Sequence, residues 1–286
     1  MEQNSKKLNI GIIGLGYVGS AIENFFSSKY NLFTYDLHNN CSEKNISALA
    51  EKSEIIFLCL PTPIQKDGSC SLKILSRVLE DLEDAIKANN LERDKTIIIK
   101  STIIPGSSRN FSNRYKSMNI VFNPEFLTEL NSYEDFLNQK RIILGGENTA
   151  LAENLYAQSF KDAEILILSY EEAEMVKYFA NTFLATKVAF ANEMFTLCKK
   201  MNINYNTVVS AVVKDERIGR SHFSVPGPDG KYGFGGSCFP KDLSALIFYF
   251  NTNKIESIIL NSVWERNANI DRKEKDWNQL KGRAVE

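Results

Sequence analysis

A chain of 286 residues that is 43% hydrophobic and 24% charged has the composition of an ordinary globular protein, with room for one large or two ordinary domains. A formal net charge of −1 leaves no electrostatic footprint for nucleic acid or an anionic membrane, and no apolar run approaches the roughly 20 residues of a membrane span. Five scattered cysteines and two histidines argue against a disulfide framework, a zinc site and a histidine-based triad. They fit a reducing cytoplasm, and the first seven residues hold no signal-peptide core.

The run Leu8 to Ile13 predicts a first strand. Gly14-Leu15-Gly16-Tyr17-Val18-Gly19 follows, then a helical pattern from Ser20 to Ser27 and a second apolar run, Asn31 to Tyr35, ending in Asp36. Strand, glycine turn, helix, strand and acid in this order predict a dinucleotide-binding unit. Gly14 makes the tight turn, Gly16 lets a pyrophosphate near the backbone, and Gly19 lets the helix pack on the strand. The phosphates would sit on the helix N-terminus. Asp36 should take both ribose hydroxyls and repel a 2′-phosphate; Leu37 and His38 put no arginine beside it, so NAD is expected over NADP. A purely structural glycine turn is the competing reading.

Further apolar runs at Glu54–Leu60, Thr96–Lys100 and Asn119–Phe122 are separated by helical patterns at Leu72–Ala88 and Ser107–Lys116. Arg141–Leu144 and Ala163–Leu168 extend the series. The alternation predicts an α/β fold with a parallel, doubly wound sheet. Ligands of such sheets bind beyond the carboxyl ends of the strands. Three loops fall there: Pro61-Thr62-Pro63, Ser101 to Gly106, and Asn123-Pro124-Glu125-Phe126-Leu127.

From Ser169 to about Met201 there is neither proline nor glycine, and apolar residues recur at helical spacing. One helix of about 45 Å is expected, with Glu171, Glu172 and Glu174 suiting its first turns. A helix of that length spans two domains or forms a subunit interface. The expected division is therefore a dinucleotide-binding domain over 1–168 and an all-helical domain over 169–286. Lys177 and Asn181, four apart, share a helix face and could hold an oxyanion between them; a solvated surface pair is the alternative. Helices are also expected over Tyr205–Lys214 and Ile255–Trp277.

Between these last two lies Gly233-Phe234-Gly235-Gly236-Ser237-Cys238-Phe239-Pro240-Lys241-Asp242, followed by a helical run, Leu243 to Phe250. A cysteine at the mouth of a helix meets the positive end of the macrodipole, which favours thiolate. Cys238 thus reads as a covalent nucleophile, against the plainer reading of a small buried residue in a tight turn. NAD with a nucleophilic cysteine points to oxidation of an aldehyde. The thiolate adds to the carbonyl, the thiohemiacetal carbon loses hydride, and the thioester is hydrolysed. Asp242 and Glu125 are candidates to activate the water.

The glycine turn with Asp36, Pro61-Thr62-Pro63, Ser101-Thr102, Asn123 to Leu127, Lys177 with Asn181, Asp215-Glu216-Arg217-Ile218-Gly219 and Gly235 to Asp242 follow one another as in the UDP-glucose 6-dehydrogenase branch of the nucleotide-sugar dehydrogenases. The chain resembles that family along nearly its whole length. The resemblance implies a Rossmann-like domain followed by a helical domain, and oxidation of C6 of UDP-glucose to UDP-glucuronate with two NAD per turnover. It implies Cys238 as nucleophile, with Lys177, Asn181 and Asp242 handling the oxyanion and water. Glu125 would be the base of thioester hydrolysis, with Thr102 placing the water. Cofactor contacts would come from Gly14, Gly16, Tyr17, Val18, Gly19, Asp36, Pro61, Thr62, Thr102 and Glu129, the last one helical turn after Glu125. Substrate contacts would come from Phe126, Leu127, Lys177, Asn181, Phe234, Gly235 and, across a homodimer interface built on the long helix, Arg217. No metal is implied. The chain departs from the family at Cys70, where an acid is usual, and at Leu130, where glycine is common. Its last residues, Gly282 to Glu286, fall where the family's C-terminal nucleotide-binding domain would begin, so a short form lacking that domain is expected. Two other readings stay open: a β-hydroxyacid-type dehydrogenase performing a single oxidation, and a non-catalytic or split subunit that dimerises or binds nucleotide.

Overall fold

Short Ile-, Val- and Phe-rich runs bounded by polar turns form seven strands in a computed structural model, which describes residues 7–91 and 95–286. Residues 1–6, most of the segment read above as lacking a signal-peptide core, lie outside the described residues. The strands are β1 (Asn9–Ile13), β2 (Asn31–Tyr35), β3 (Ile55–Leu58), β4 (Thr96–Ile99), β5 (Asn119–Phe122), β6 (Arg141–Gly145) and β7 (Glu164–Leu168), in the sheet order β2-β1-β3-β4-β5-β6-β7. Pairing is parallel from β2 through β5, as expected. The expected all-parallel sheet needs one correction. β6 pairs antiparallel with β5, through Phe122 and Gly145, and β7 runs parallel to β6. The β5–β6 connection carries only α5 (Ser132–Leu137), packed on α1 (Tyr17–Phe26). Without a helix crossing the sheet, the chain returns alongside β5.

Side chains alternate between the two faces of this sheet. Ile55, Phe57, Ile98 and Val121 face α1, α5 and α6 (Ala150–Ser159). Ile56, Leu58, Ile97 and Ile99 face α2 (Ile46–Lys52), α3 (Lys73–Ala88) and α4 (Ser107–Arg114). Each such fully buried side chain stabilises the fold by about 1.5–3 kcal/mol. The short α2, α5 and α6 are additions to the predicted elements. Asn45 starts α2 by accepting a hydrogen bond from the Ala48 N–H, as a helix cap should.

The long helix is α7 (Tyr170–Lys200), and α8 (Tyr205–Val212), α9 (Phe239–Thr252) and α10 (Ile258–Arg266) follow. The chain divides into two compact units. The first holds the described residues through Thr62 together with Leu72–Lys177; the second holds Pro63–Ser71 with Tyr178–Glu286. α7 thus gives its opening turns to the first unit and the rest to the second. In the second unit Ala185, Ala189, Phe234, Leu243 and Val263 make one core cluster, and Ala191, Cys198, Tyr205 and Val225 another. The segment from Pro63 joins this unit by backbone bonds: Ile64 N–H to Ala284 at 2.8 Å and Glu286 N–H to Ile64 at 2.9 Å.

The single helix expected over Ile255–Trp277 is corrected. α10 ends at Arg266, a π-helical turn covers Asn267–Asp271, and a 3-10 turn covers Asp276–Gln279. The break occurs where Asn267 and Arg272 turn inward to bond the loop before Cys238. No helix among the described residues is long and apolar enough to cross a membrane.

Candidate active site

The first unit carries a dinucleotide cradle. Gly14 has φ +93°, a left-handed conformation natural to glycine. A side chain at Gly19 would strike the Gly14 carbonyl, so α1 can pack on the turn only with glycine there. A Cβ at Gly16 would meet nothing within 4 Å, and the first turn of α1 has no side-chain cap and no acidic residue. Its N–H groups, at Tyr17, Val18 and Gly19, are therefore placed to receive an anion. These features fit the diphosphate of NAD. At the end of β2, Asp36 accepts from the Leu15 N–H at 2.7 Å through Oδ2 and from the His38 and Asn39 N–H groups at 2.7 and 2.8 Å through Oδ1. Partial burial works against its charge, but these backbone donors outweigh burial and hold the carboxyl below its ordinary range.

The first unit also carries Glu125 and Lys177. Lys177 is 3% exposed, so the solvated-pair reading does not hold. Its Nζ donates to the Glu125 carbonyl at 2.5 Å and lies 3.3 Å from Oε1. The other carboxylate oxygen of Glu125 accepts the Leu127 N–H at 2.8 Å. The ring of Phe126 lies against two cations, Arg141 at 4.6 Å and Lys177 at 5.3 Å. Thr62 and Thr102 are both buried, and the Thr62 hydroxyl donates to the Thr102 carbonyl at 2.8 Å, tying two strand-end loops together; Pro61 beside it is exposed. The placement of Glu129 is corrected. Residues 123–128 are irregular rather than helical, and Glu129 is exposed at a bend. Pro124 disfavours helix in the residue before it, and the Glu125 side chain bonds its own loop instead.

The second unit carries the cysteine. Cys238 is the N-cap of α9, with Pro240 in the first turn. The Ser237 hydroxyl is 3.8 Å from Sγ. Behind it Asp242, 1% exposed, takes the Asn181 amide on Oδ2 and the Lys241 ammonium on Oδ1, both at 2.5 Å. Burial opposes the Lys241 charge, yet Asp242, with Cys70 and Cys238 nearby, holds its pKa above the ordinary lysine value. The cysteine thus lies in the field of a buried ammonium.

Three side chains that the sequence did not single out brace the loop ahead of Cys238. Asn192 Oδ1 accepts the Gly233 N–H at 3.1 Å. Asn267 accepts the Phe234 N–H at 2.8 Å and donates to the Phe234 carbonyl at 2.9 Å. Arg272 donates to the Tyr232 carbonyl at 3.1 Å and pairs with Asp229 and Asp276. A Cβ at Gly235 would collide with Arg272 and Asp276, which accounts for that glycine by packing. Phe234 is buried in a core cluster rather than turned outward. Arg217 is exposed and pairs with Asp215 at 2.6 Å.

The UDP-glucose/GDP-mannose dehydrogenase family, NAD binding domain, matches residues 35–161, and the central domain of the same family matches 171–269. The chain belongs to the UDP-glucose/GDP-mannose dehydrogenase family. NAD is the cofactor of the matched N-terminal domain. UDP-glucose 6-dehydrogenase of Rickettsia prowazekii is 38% identical over 222 residues, which is 75% of this chain and 49% of that protein. UDP-glucose 6-dehydrogenase of Pseudomonas aeruginosa is 35% identical over 76% of this chain and 49% of its own length. The chain spans about half the length of the curated relatives it matches. A UDP-glucose dehydrogenase structure from Pyrobaculum islandicum superposes with a TM-score of 0.84 at 28% identity, covering 93% of this chain and 69% of that one. A Mycobacterium tuberculosis 3-hydroxyisobutyrate dehydrogenase shares the fold, with a TM-score of 0.74 at 15% identity over 96% of this chain and 99% of its own.

Proposed function

We propose that the chain oxidises the C6 hydroxyl of a nucleotide sugar to the acid, with UDP-glucose the first substrate to test. The observation that carries this reading is Cys238 at the N-terminus of α9, backed by the buried Lys241–Asp242–Asn181 network. A single alcohol oxidation has no need of such a thiol. Two relatives named UDP-glucose 6-dehydrogenase support the choice of sugar.

Gly14, Gly16, Gly19 and Asp36 would hold NAD, which would supply a hydride acceptor for each two-electron oxidation, so that alcohol to acid would need two. Cys238 holds the aldehyde stage as a thiohemiacetal and, after the second oxidation, as a thioester. Lys177 and Asn181 donate to the oxygen that carries negative charge during addition. Glu125 takes a proton from a water held by Thr102; that water attacks the thioester carbon, and the Cys238 thiolate leaves. Asp242 keeps Lys241 paired and Asn181 oriented.

α7 exposes Phe179, Phe183, Phe190 and Leu197, a large apolar surface for one helix. We assign it to pairing with a second copy, in which Arg217 would reach the neighbouring substrate. Light scattering at micromolar concentration reads this directly. For the reaction, the purified protein is incubated with NAD and a panel of UDP- and GDP-sugars, following NADH and acid. Acid from one of them is the expected result; a carbonyl product that accumulates without acid would support the single-oxidation reading instead.

A further inference from the structure

The segment that carries Glu125 is gripped by a second buried lysine for which the mechanism above has no use. Lys100 follows β4 and is almost fully buried. Its Nζ donates to Asn123 Oδ1 at 2.8 Å. The same oxygen accepts the Tyr156 hydroxyl from α6 at 2.5 Å, and Asn123 Nδ2 donates to the Ile143 carbonyl of β6 at 2.7 Å. Two residues on, Lys177 from α7 holds the Glu125 carbonyl. Asn123-Pro124-Glu125 is therefore clamped at both ends by ammonium groups from two different elements.

The charges in this cluster are unequal. The titratable groups that face Lys100 are Glu125, Cys59 after β3, and Lys177; Tyr156 meets it through Asn123. Burial pushes the Cys59 thiol up to about 12, so it stays neutral. One carboxylate thus serves two buried ammonium groups. A buried cation without a compensating charge is strongly disfavoured, so the Lys100 ammonium depends on the negative charge of Glu125.

We propose that Lys100 is a positioning residue for Glu125: through Asn123 it fixes the loop that carries the carboxylate, and its ammonium supplies a positive charge to that carboxylate. This rests on the reading of Glu125 as the base of hydrolysis. Burial, only partly offset by Glu125, brings the Lys100 pKa down to about 8. Loss of the Glu125 charge should therefore lower the Lys100 pKa further.

The test uses the whole chain with lysine labelled with 13C at Cε. The Lys100 signal is identified by its loss in Lys100→Arg. The wild type and Glu125→Gln, in which Lys100 is intact, are titrated from about pH 6 to about pH 11 by NMR. The expected result is a Lys100 midpoint near 8 in the wild type, lower by about one pH unit or more in Glu125→Gln. A midpoint in the range of exposed lysines, or the same midpoint in both proteins, overturns the proposal. With a substrate in hand, Lys100→Met should lower acid formation about tenfold or more with KM unchanged, and move the acid limb of the pH profile upward; Lys100→Arg should leave that limb in place. A Lys100→Met enzyme with unaltered turnover and pH profile also overturns it. If the wild type oxidises no nucleotide sugar, the functional reading fails, and the NMR titration alone decides the coupling of Lys100 to Glu125.

Discussion

The side-chain amide of Asn181, on α7, donates to the carboxylate of Asp242, on α9, at 2.5 Å across 61 residues of sequence, and both side chains are buried. The other Asp242 oxygen holds the Lys241 ammonium. Removing the carboxylate charge leaves Lys241 buried without a counter-ion, so Asp242→Asn should destabilise the protein by about 3–5 kcal/mol. Asn181→Ala removes a neutral donor to a carboxylate that keeps its lysine, and should cost about 1–3 kcal/mol. Urea unfolding midpoints of the three proteins check the order; equal midpoints would mean that the network is not what holds α7 to α9.

Cys238→Ser should abolish acid formation while NAD binding stays unchanged. The serine hydroxyl ionises far less readily, and its adduct cannot proceed through a thioester. Slow interconversion of alcohol and aldehyde would survive. Acid at the wild-type rate from the serine variant would take Cys238 out of the mechanism.

We propose that Asp36 sets cofactor preference through its negative charge at the end of β2. The backbone N–H groups of Leu15, His38 and Asn39 keep its carboxyl pKa below the ordinary range, which favours the charged form. A 2′-phosphate would meet a like charge there. The wild type should strongly prefer NAD, and Asp36→Ala should narrow the ratio of kcat/KM for NAD and NADP. Similar efficiency with both in the wild type would contradict the assignment.

Glu174 gives a pH dependence of stability. Its carboxylate accepts the Gly106 and Ser108 N–H groups at 2.6 and 2.7 Å, capping α4 from a different helix. Burial outweighs those bonds and raises its pKa to about 7. A carboxyl whose folded pKa lies above its unfolded value binds more protons when folded. Its contribution is full below the ordinary glutamate pKa, about 4.5, and is lost as pH rises through about 7. The wild type should therefore lose stability between about pH 4.5 and about pH 7, with a slope of at most about 1.4 kcal/mol for each pH unit from this one group. Glu174→Gln should flatten that part of the curve. Unchanged slopes in denaturant unfolding across this window would rule Glu174 out as the group responsible.

Local pattern made much of this molecule legible in advance. β2 and β5 begin and end at the expected residues because each is a short apolar run with polar turns at both ends. α7 was visible as an uninterrupted stretch without proline or glycine. The direction of β6 was not, since an apolar run of five residues reads alike in either orientation. The break after Arg266 escaped because it comes from Asn267 bonding Phe234, 33 residues away. The same holds for Lys100, Asn123 and Tyr156. Nothing local marks an amide that ties a strand, a loop and a helix together, and only the fold brings those groups within hydrogen-bond distance. Cys238 with Lys241 and Asp242 was legible because its chemistry is contiguous in sequence.

The most direct measurement is the stoichiometry of one reaction. Purified protein, excess NAD and a limiting amount of UDP-glucose are taken to completion, and NADH and carboxylic acid are both quantified. Two NADH for each acid formed, with no free aldehyde detected, is the expected result. One NADH for each sugar consumed, with a carbonyl product and no acid, would contradict a covalent role for Cys238 and four-electron oxidation together.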